Sequence, residues 1–111
     1  MPTAHCLVLI TIFNANLLRP VAIIQIDKAN TVSPHTIIAP FTSKIRRALL
    51  PFHVLVPKGV GGLTQDSVIL CEQIRVIDKS RIIKVIGLLD EDYMMKLKVA
   101  LSNILGLNES D

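Results

Sequence analysis

The stretch Pro20-Val-Ala-Ile-Ile-Gln-Ile-Asp-Lys-Ala-Asn-Thr-Val-Ser-Pro-His-Thr-Ile-Ile-Ala-Pro-Phe-Thr42 decides the fold class. Its ends, residues 20–26 and 36–42, are short apolar runs rich in β-branched side chains, which fit a pleated, half-buried surface. Between them, residues 27–34 carry turn formers, and Ser33-Pro34 stops any continuation because the residue before a proline is pushed toward extended backbone. Two strands joined by a turn are expected. Pro40 has no N–H to give to a ladder, so a bulge or a sheet edge is expected there.

The same pattern extends outward. Cys6-Leu-Val-Leu-Ile-Thr-Ile-Phe13 reads as a strand ended by Asn14-Ala-Asn16. Residues 43–50 form a basic connection with Lys44, Arg46 and Arg47. Residues 52–56 read as a short fourth strand, and Pro57-Lys-Gly-Val-Gly-Gly62 as a flexible loop. Asp66-Ser-Val-Ile-Leu-Cys-Glu-Gln-Ile74 reads as a fifth strand, opening on a continuous apolar run of the kind covered on both faces. Residues 81–86 form a sixth, followed by Gly87.

One helix follows. Asp90 can cap it, and Glu91 and Asp92 suit the positive end of its dipole. Met94, Leu97, Leu101 and Ile104 recur at helical spacing on one face. Gly106 supplies a left-handed residue after the last turn, and Leu107 is expected to fold back onto that face. The fold class is therefore mainly β with a C-terminal helix: a small, strongly curved sheet or barrel. Residues 1–111 read as one domain, with a frayed tail from Asn108.

Half of the 111 residues are apolar, 4% are aromatic and Trp is absent, so Ile, Val and Leu must build the core. The formal charge of +3 permits a polyanionic partner without demanding one. Cys6 and Cys71 lack redox or zinc spacing and read as small core hydrophobes in a reducing compartment. The longest apolar run is too short to span a membrane, and no Lys or Arg precedes it as in a secretory signal. A cytoplasmic protein without membrane contact is expected.

No nucleotide-binding glycine loop, metal cluster or serine-hydrolase elbow is present, and His5, His35 and His53 are scattered. What remains is polar residues at strand ends: Arg19 before Pro20, then Thr42, Ser43 and Lys44, then Glu72, Gln73 and Arg75. Each alone reads as a solvated strand end. Gathered at one barrel mouth, they would suit a phosphodiester.

Four ordered blocks carry a resemblance. They are Arg19-Pro-Val-Ala-Ile-Ile-Gln-Ile-Asp27 with Asn30 and Ser33-Pro34; Ile37-Ile-Ala-Pro-Phe-Thr-Ser-Lys44; Leu50-Pro-Phe-His-Val54; and Asp66-Ser-Val-Ile-Leu-Cys-Glu-Gln-Ile-Arg75, continuing through Ile77-Asp-Lys79, Arg81 and Gly87. The helix ending in Leu105-Gly-Leu107 fits as well. In these blocks the chain resembles the MazF/PemK family of toxin endoribonucleases from type II toxin–antitoxin systems.

The resemblance implies a barrel related to SH3 and plasmid-toxin domains, usually a homodimer. It implies sequence-selective cleavage of single-stranded RNA, an mRNA interferase activity with no metal or other cofactor. The ribose 2′-hydroxyl attacks the adjacent phosphate, leaving a 2′,3′-cyclic phosphate and a 5′-hydroxyl. A cognate antitoxin is the implied protein partner, and contact with DNA is expected only through it. Arg19 matches the catalytic arginine and Thr42 the catalytic threonine. Glu72 and Gln73 match base-contacting positions, and Leu50, Pro51 and Phe52 a loop that packs on bases. Ser43 and Lys44 are expected on the RNA backbone. Residues 1–18 depart from the family: its Gly-Asp-aromatic start and its Gly-Ser-Glu-Gln-Gly-like loop are replaced by a segment ending Asn14-Ala-Asn-Leu-Leu18. The alternative is thus a catalytically silent relative that acts as an antitoxin- or RNA-binding module.

Overall fold

The computed structural model describes residues 6–11 (as backbone), 18–45 and 49–107. It contains strands β1 (Cys6–Thr11), β2 (Leu18–Ile23), β3 (His35–Thr42), β4 (His53–Val56), β5 (Ser67–Leu70), β6 (Arg75–Asp78) and β7 (Ile82–Leu88), with helices α1 (Asp27–Val32) and α2 (Glu91–Leu105). The sheet runs β4-β5-β3-β2-β1-β7, and β6 also pairs with β3. Every pairing is antiparallel. The mainly β reading with a C-terminal helix therefore holds. Phe13, Asn14, Asn16, Arg46, Arg47 and the tail from Asn108 lie outside the described residues.

Three local readings are corrected. First, the expected turn after β2 is a helical turn, α1. Asn30 counts as a turn former only until its side chain is buried, and here it is 2% exposed and fully engaged. Its Oδ1 accepts from Gln25 Nε2 at 2.9 Å and from Thr36 Oγ1 at 2.7 Å, and its Nδ2 donates to the Gln25 carbonyl at 2.9 Å. Lys79 Nζ adds a bond to the Asn30 carbonyl. Ser33 then stops the helix in extended backbone, as Ser-Pro requires.

Second, the expected fifth strand is two strands. β5 pairs with residues 41–42 of β3, β6 pairs with residues 35–38, and the 3-10 turn Cys71–Gln73 leaves the ladder between them. Pro40 lies opposite this break, so it is neither at an edge nor in a bulge. It sits where a partner N–H acceptor is missing anyway.

Third, the expected flexible loop contains a 3-10 turn, Val60–Gly62, that packs on β7. It brings the connection after β4 onto the far outer strand, which closes the curved sheet. The approach is backbone to backbone: a Cβ at Gly87 would overlap the Gly61 carbonyl, and one at Gly62 would overlap the Ile86 carbonyl. Register shifts in the β1–β7 pair add curvature.

Both faces of β2 and β3 are covered. Ala22, Ala39 and Phe41 join Val54, Val56, Ile69, Cys71 and the α2 residues Leu97 and Ala100 in the main core. Val21, Ile23, Ile38 and Ile77 form a second cluster on the opposite face. Helix α2 begins as read, with Asp90 Oδ1 accepting from the Tyr93 N–H at 3.2 Å. It ends at Gly106 in the left-handed region, φ 68°. Leu107 bonds back through its N–H to the Ser102 carbonyl at 2.9 Å, but its side chain is 70% exposed and does not cover the helix face. Among the described residues, no helix is long and apolar enough to cross a membrane.

Two stability predictions follow from these contacts. Asn30→Ala removes the acceptor of the buried Thr36 hydroxyl and two bonds to Gln25, whose Nε2 keeps only the His35 carbonyl. It is expected to cost about 1–3 kcal/mol in urea unfolding, more than Thr36→Val, which removes one hydrogen bond. Gly87→Ala forces the sheet closure open and is expected to cost about 1–3 kcal/mol. A variant as stable as wild type in either case would show that the contact is not needed.

Candidate active site

Antiparallel register brings the first two candidate residues together. Val21 pairs with Pro40 across β2 and β3. Side chains alternate along a strand, so Arg19 and Thr42, each two residues on, share the face of that pair. Both line a cavity of about 290 Å³. Its floor is the second apolar cluster, with Val21, Ile38 and Ile77. Its rim adds Gln73 from the 3-10 turn, Arg75 from β6 and Arg81.

On sequence Arg75 stands only among the strand-end polar residues, and Arg81 has no role. Arg75 pairs with Ile38 across β6 and β3, so it stands on the cavity face. The signal that would have found it is the strand break after Cys71, which a continuous apolar reading hides. Three guanidinium groups and no carboxylate among the described lining residues make this a site for an anion. The Thr42 Oγ1 accepts from the Lys44 N–H at 3.2 Å, which orients the hydroxyl and leaves its own proton to donate.

A second hollow of about 260 Å³ lies on the other side of Arg19, and Arg19 and Phe41 line both. Ser43 faces this second hollow with Thr64, Gln65 and Ser67. Lys44 is exposed beside it in sequence.

The remaining candidates stand elsewhere. Leu50 and Pro51 line a third, mainly apolar groove of about 470 Å³ against Met95 and Val99 of α2. Phe52 is half-buried and packs on the main core, with its ring edge-on to His53 at 4.9 Å. Glu72 and Gln73 part company on the 3-10 turn: Gln73 lines the arginine cavity, whereas Glu72 meets His53, Oε2 to Nε2 at 3.1 Å. Their neighbour Cys71 is buried in the core, and burial, with the Glu72 charge beside it, pushes its thiol up to about 11. At neutral pH that sulfur is a packing group rather than a nucleophile. Among the described residues, no three His, Cys, Asp or Glu side chains gather to hold a metal ion.

A guanidinium and a hydroxyl proton lining one cavity over an apolar floor can hold a phosphodiester by charge-assisted hydrogen bonds and stabilise added negative charge on it.

The comparisons with known proteins agree with this chemistry. A family described as PemK-like, MazF-like toxin of type II toxin-antitoxin system matches residues 14–105. "Endoribonuclease MazF" of Staphylococcus epidermidis is 45% identical over 93 residues, 84% of this chain and 78% of that protein. Among solved structures, Mycobacterium tuberculosis toxin MazF-mt6 superposes with a TM-score of 0.80 at 25% identity, covering 93% of this chain and 98% of that one. An endoribonuclease in complex with its cognate antitoxin, from a mycobacterial species, shares the fold with a TM-score of 0.83 at 18% identity, covering 97% and 98%. This chain belongs to the PemK-like, MazF-like toxin family of type II toxin–antitoxin systems.

Proposed function

We propose that the chain is an endoribonuclease that cuts single-stranded RNA at selected sequences, an mRNA interferase, as its family and its Staphylococcus epidermidis relative's name indicate. The observation that carries this reading is the cavity shared by Arg19, Thr42 and Gln73. The 2′-hydroxyl of one ribose attacks the adjacent phosphorus and gives up its proton, and a phosphorane forms. The P–O5′ bond breaks as the 5′-oxygen leaves and takes up a proton, so that the net change is one proton moved from the 2′- to the 5′-oxygen. The products are a 2′,3′-cyclic phosphate and a 5′-hydroxyl, with no water consumed and no metal invoked. The Arg19 guanidinium pairs with the phosphorane oxygens as their charge grows. The Thr42 hydroxyl donates a hydrogen bond to a non-bridging oxygen and keeps its proton. Gln73 and Glu72 read base edges on the unpaired strand. Arg75 and Arg81 draw the backbone in alongside Lys44 and Ser43.

The working form is a homodimer. Met95 and Val99 on α2 and Leu55 on β4 are exposed apolar side chains that a second copy can cover. A cognate antitoxin is the second partner, as in the mycobacterial complex. An RNA substrate and such a partner are met in the cytoplasm.

Purified protein incubated with mixed single-stranded RNA in EDTA is expected to leave discrete fragments with 5′-hydroxyl ends. Arg19→Ala should lower the rate at least about 10²-fold, the scale of losing one preorganised charge-stabilising donor. Intact RNA with the wild-type protein would sink the catalytic reading and favour a silent binding module.

A further inference from the structure

We infer that His53 is a positioning residue for RNA recognition: one imidazole ties the Glu72 carboxylate to the turn that carries Leu50 and Pro51, so that the two form a single preset surface. This rests on the ribonuclease reading above and names a residue which that reading does not use.

The hydrogen bonds fix the ring's state. The Leu50 N–H points at His53 Nδ1 at 3.3 Å, and an N–H can only donate, so Nδ1 carries a lone pair. In a neutral ring the proton then sits on Nε2, which faces Glu72 Oε2 at 3.1 Å and donates to it. The ring is thus spanned from both nitrogens. Its side chain is 14% exposed, against 32% for Glu72, so the imidazole is held while the carboxylate reaches solvent. Phe52 packs edge-on against it.

The turn is anchored at two further points. The His53 N–H bonds the Leu50 carbonyl at 2.9 Å, and Asn103 Nδ2 on α2 bonds the Pro51 carbonyl at 2.8 Å. The Leu50 N–H and the Glu72 carboxylate, however, have the imidazole as their common partner. A glutamate on an exposed one-turn helix would otherwise sample several rotamers and lose that freedom on meeting a base. With Oε2 committed to His53, the partly exposed carboxylate keeps Oε1 to accept from a donor. Each base carries an N–H on its Watson–Crick edge, but at a different place, so a carboxylate held in one position favours the base whose N–H meets it there.

The two halves of the clamp can be separated. In H53N the Asn Oδ1 takes the place of Nδ1 and can still accept from Leu50, but nothing reaches Glu72. In H53Q the Gln amide nitrogen takes the place of Nε2 and can still donate to Glu72. Sequencing of 5′-hydroxyl ends from a mixed single-stranded RNA pool gives the wild-type site preference. Short oligonucleotides carrying that site, or one base changed, then give kcat and KM. H53A and H53N are expected to raise KM about tenfold, to leave kcat within about twofold and to lose the preference at one position, whereas H53Q keeps the preference. Wild-type preference and KM in H53A overturn the inference alone. A wild-type protein that cuts no RNA overturns it together with the ribonuclease reading. If H53A fails to fold, the imidazole nitrogen signals of the wild-type protein decide: a proton on Nε2 supports the clamp, and one on Nδ1 overturns it.

Discussion

Strand β3 has one edge free for β2 and another edge that two strands must share. β6 occupies residues 35–38 of it and β5 occupies residues 41–42. Both run in the same direction along the same lane, so the chain between them has to step out and return. Cys71–Gln73 makes that step as a 3-10 turn. Its first residue turns inward and is sealed in the core, and the next two are pushed outward as exposed polar groups. Pro40 stands opposite the gap, where having no N–H to pair carries no penalty. The groups proposed to read RNA thus arise from how a sheet of this connectivity resolves a shared edge.

The proposed catalytic pair depends on the other edge of the same strand. Arg19 and Thr42 come from adjacent strands whose register is fixed by Val21, Ala22 and Ile23 against Pro40, Ala39 and Ile38. A slip of one residue would send Arg19 to the α2 side. That slip is opposed on both faces, because Val21 and Ile23 fill one core and Ala22 the other. Beneath the cavity the same face of β3 ends in Thr36, whose hydroxyl is held by Asn30. The guanidinium therefore approaches its ligand from a strand pinned by packing, which is the preorganisation that charge stabilisation needs.

What the sequence made legible follows from periodicity. The β-branched runs gave most strands, and Asp90, the Leu97 face and Gly106 gave the helix with its ends, because capping and amphipathicity are local. The resemblance drew Arg19, Thr42 and Gln73 together, and the strand register explains why they meet. Four features escaped. The break at Cys71 sits inside an unbroken apolar run, since Cys71 is as buried as its strand neighbours. Helix α1 depends on partners for Asn30 that come from Gln25 and Thr36, a tertiary arrangement that no propensity records. The glycines at 61, 62 and 87 read as flexibility or punctuation, but they serve a close contact of two backbones distant in sequence. His53 escaped for a similar reason: a lone histidine reads as bland until Glu72 and the Leu50 N–H are brought to its two nitrogens.

The split between Glu72 and Gln73 constrains how an RNA strand can lie. Their Cα atoms are about 3.8 Å apart, yet residues on a 3-10 turn diverge by about a third of a revolution. Gln73 serves the cavity of Arg19 and Thr42, and Glu72 serves the side of His53 and Leu50. A strand that uses both must cross this turn within one or two nucleotides of the phosphate held by Arg19, because neither side chain is long enough to reach further. The bases read by the pair are then neighbours of the scissile bond. On that reading, sequence choice and cleavage are carried by opposite sides of one three-residue turn, so bases can be read beside the scissile phosphate without moving the guanidinium that meets it.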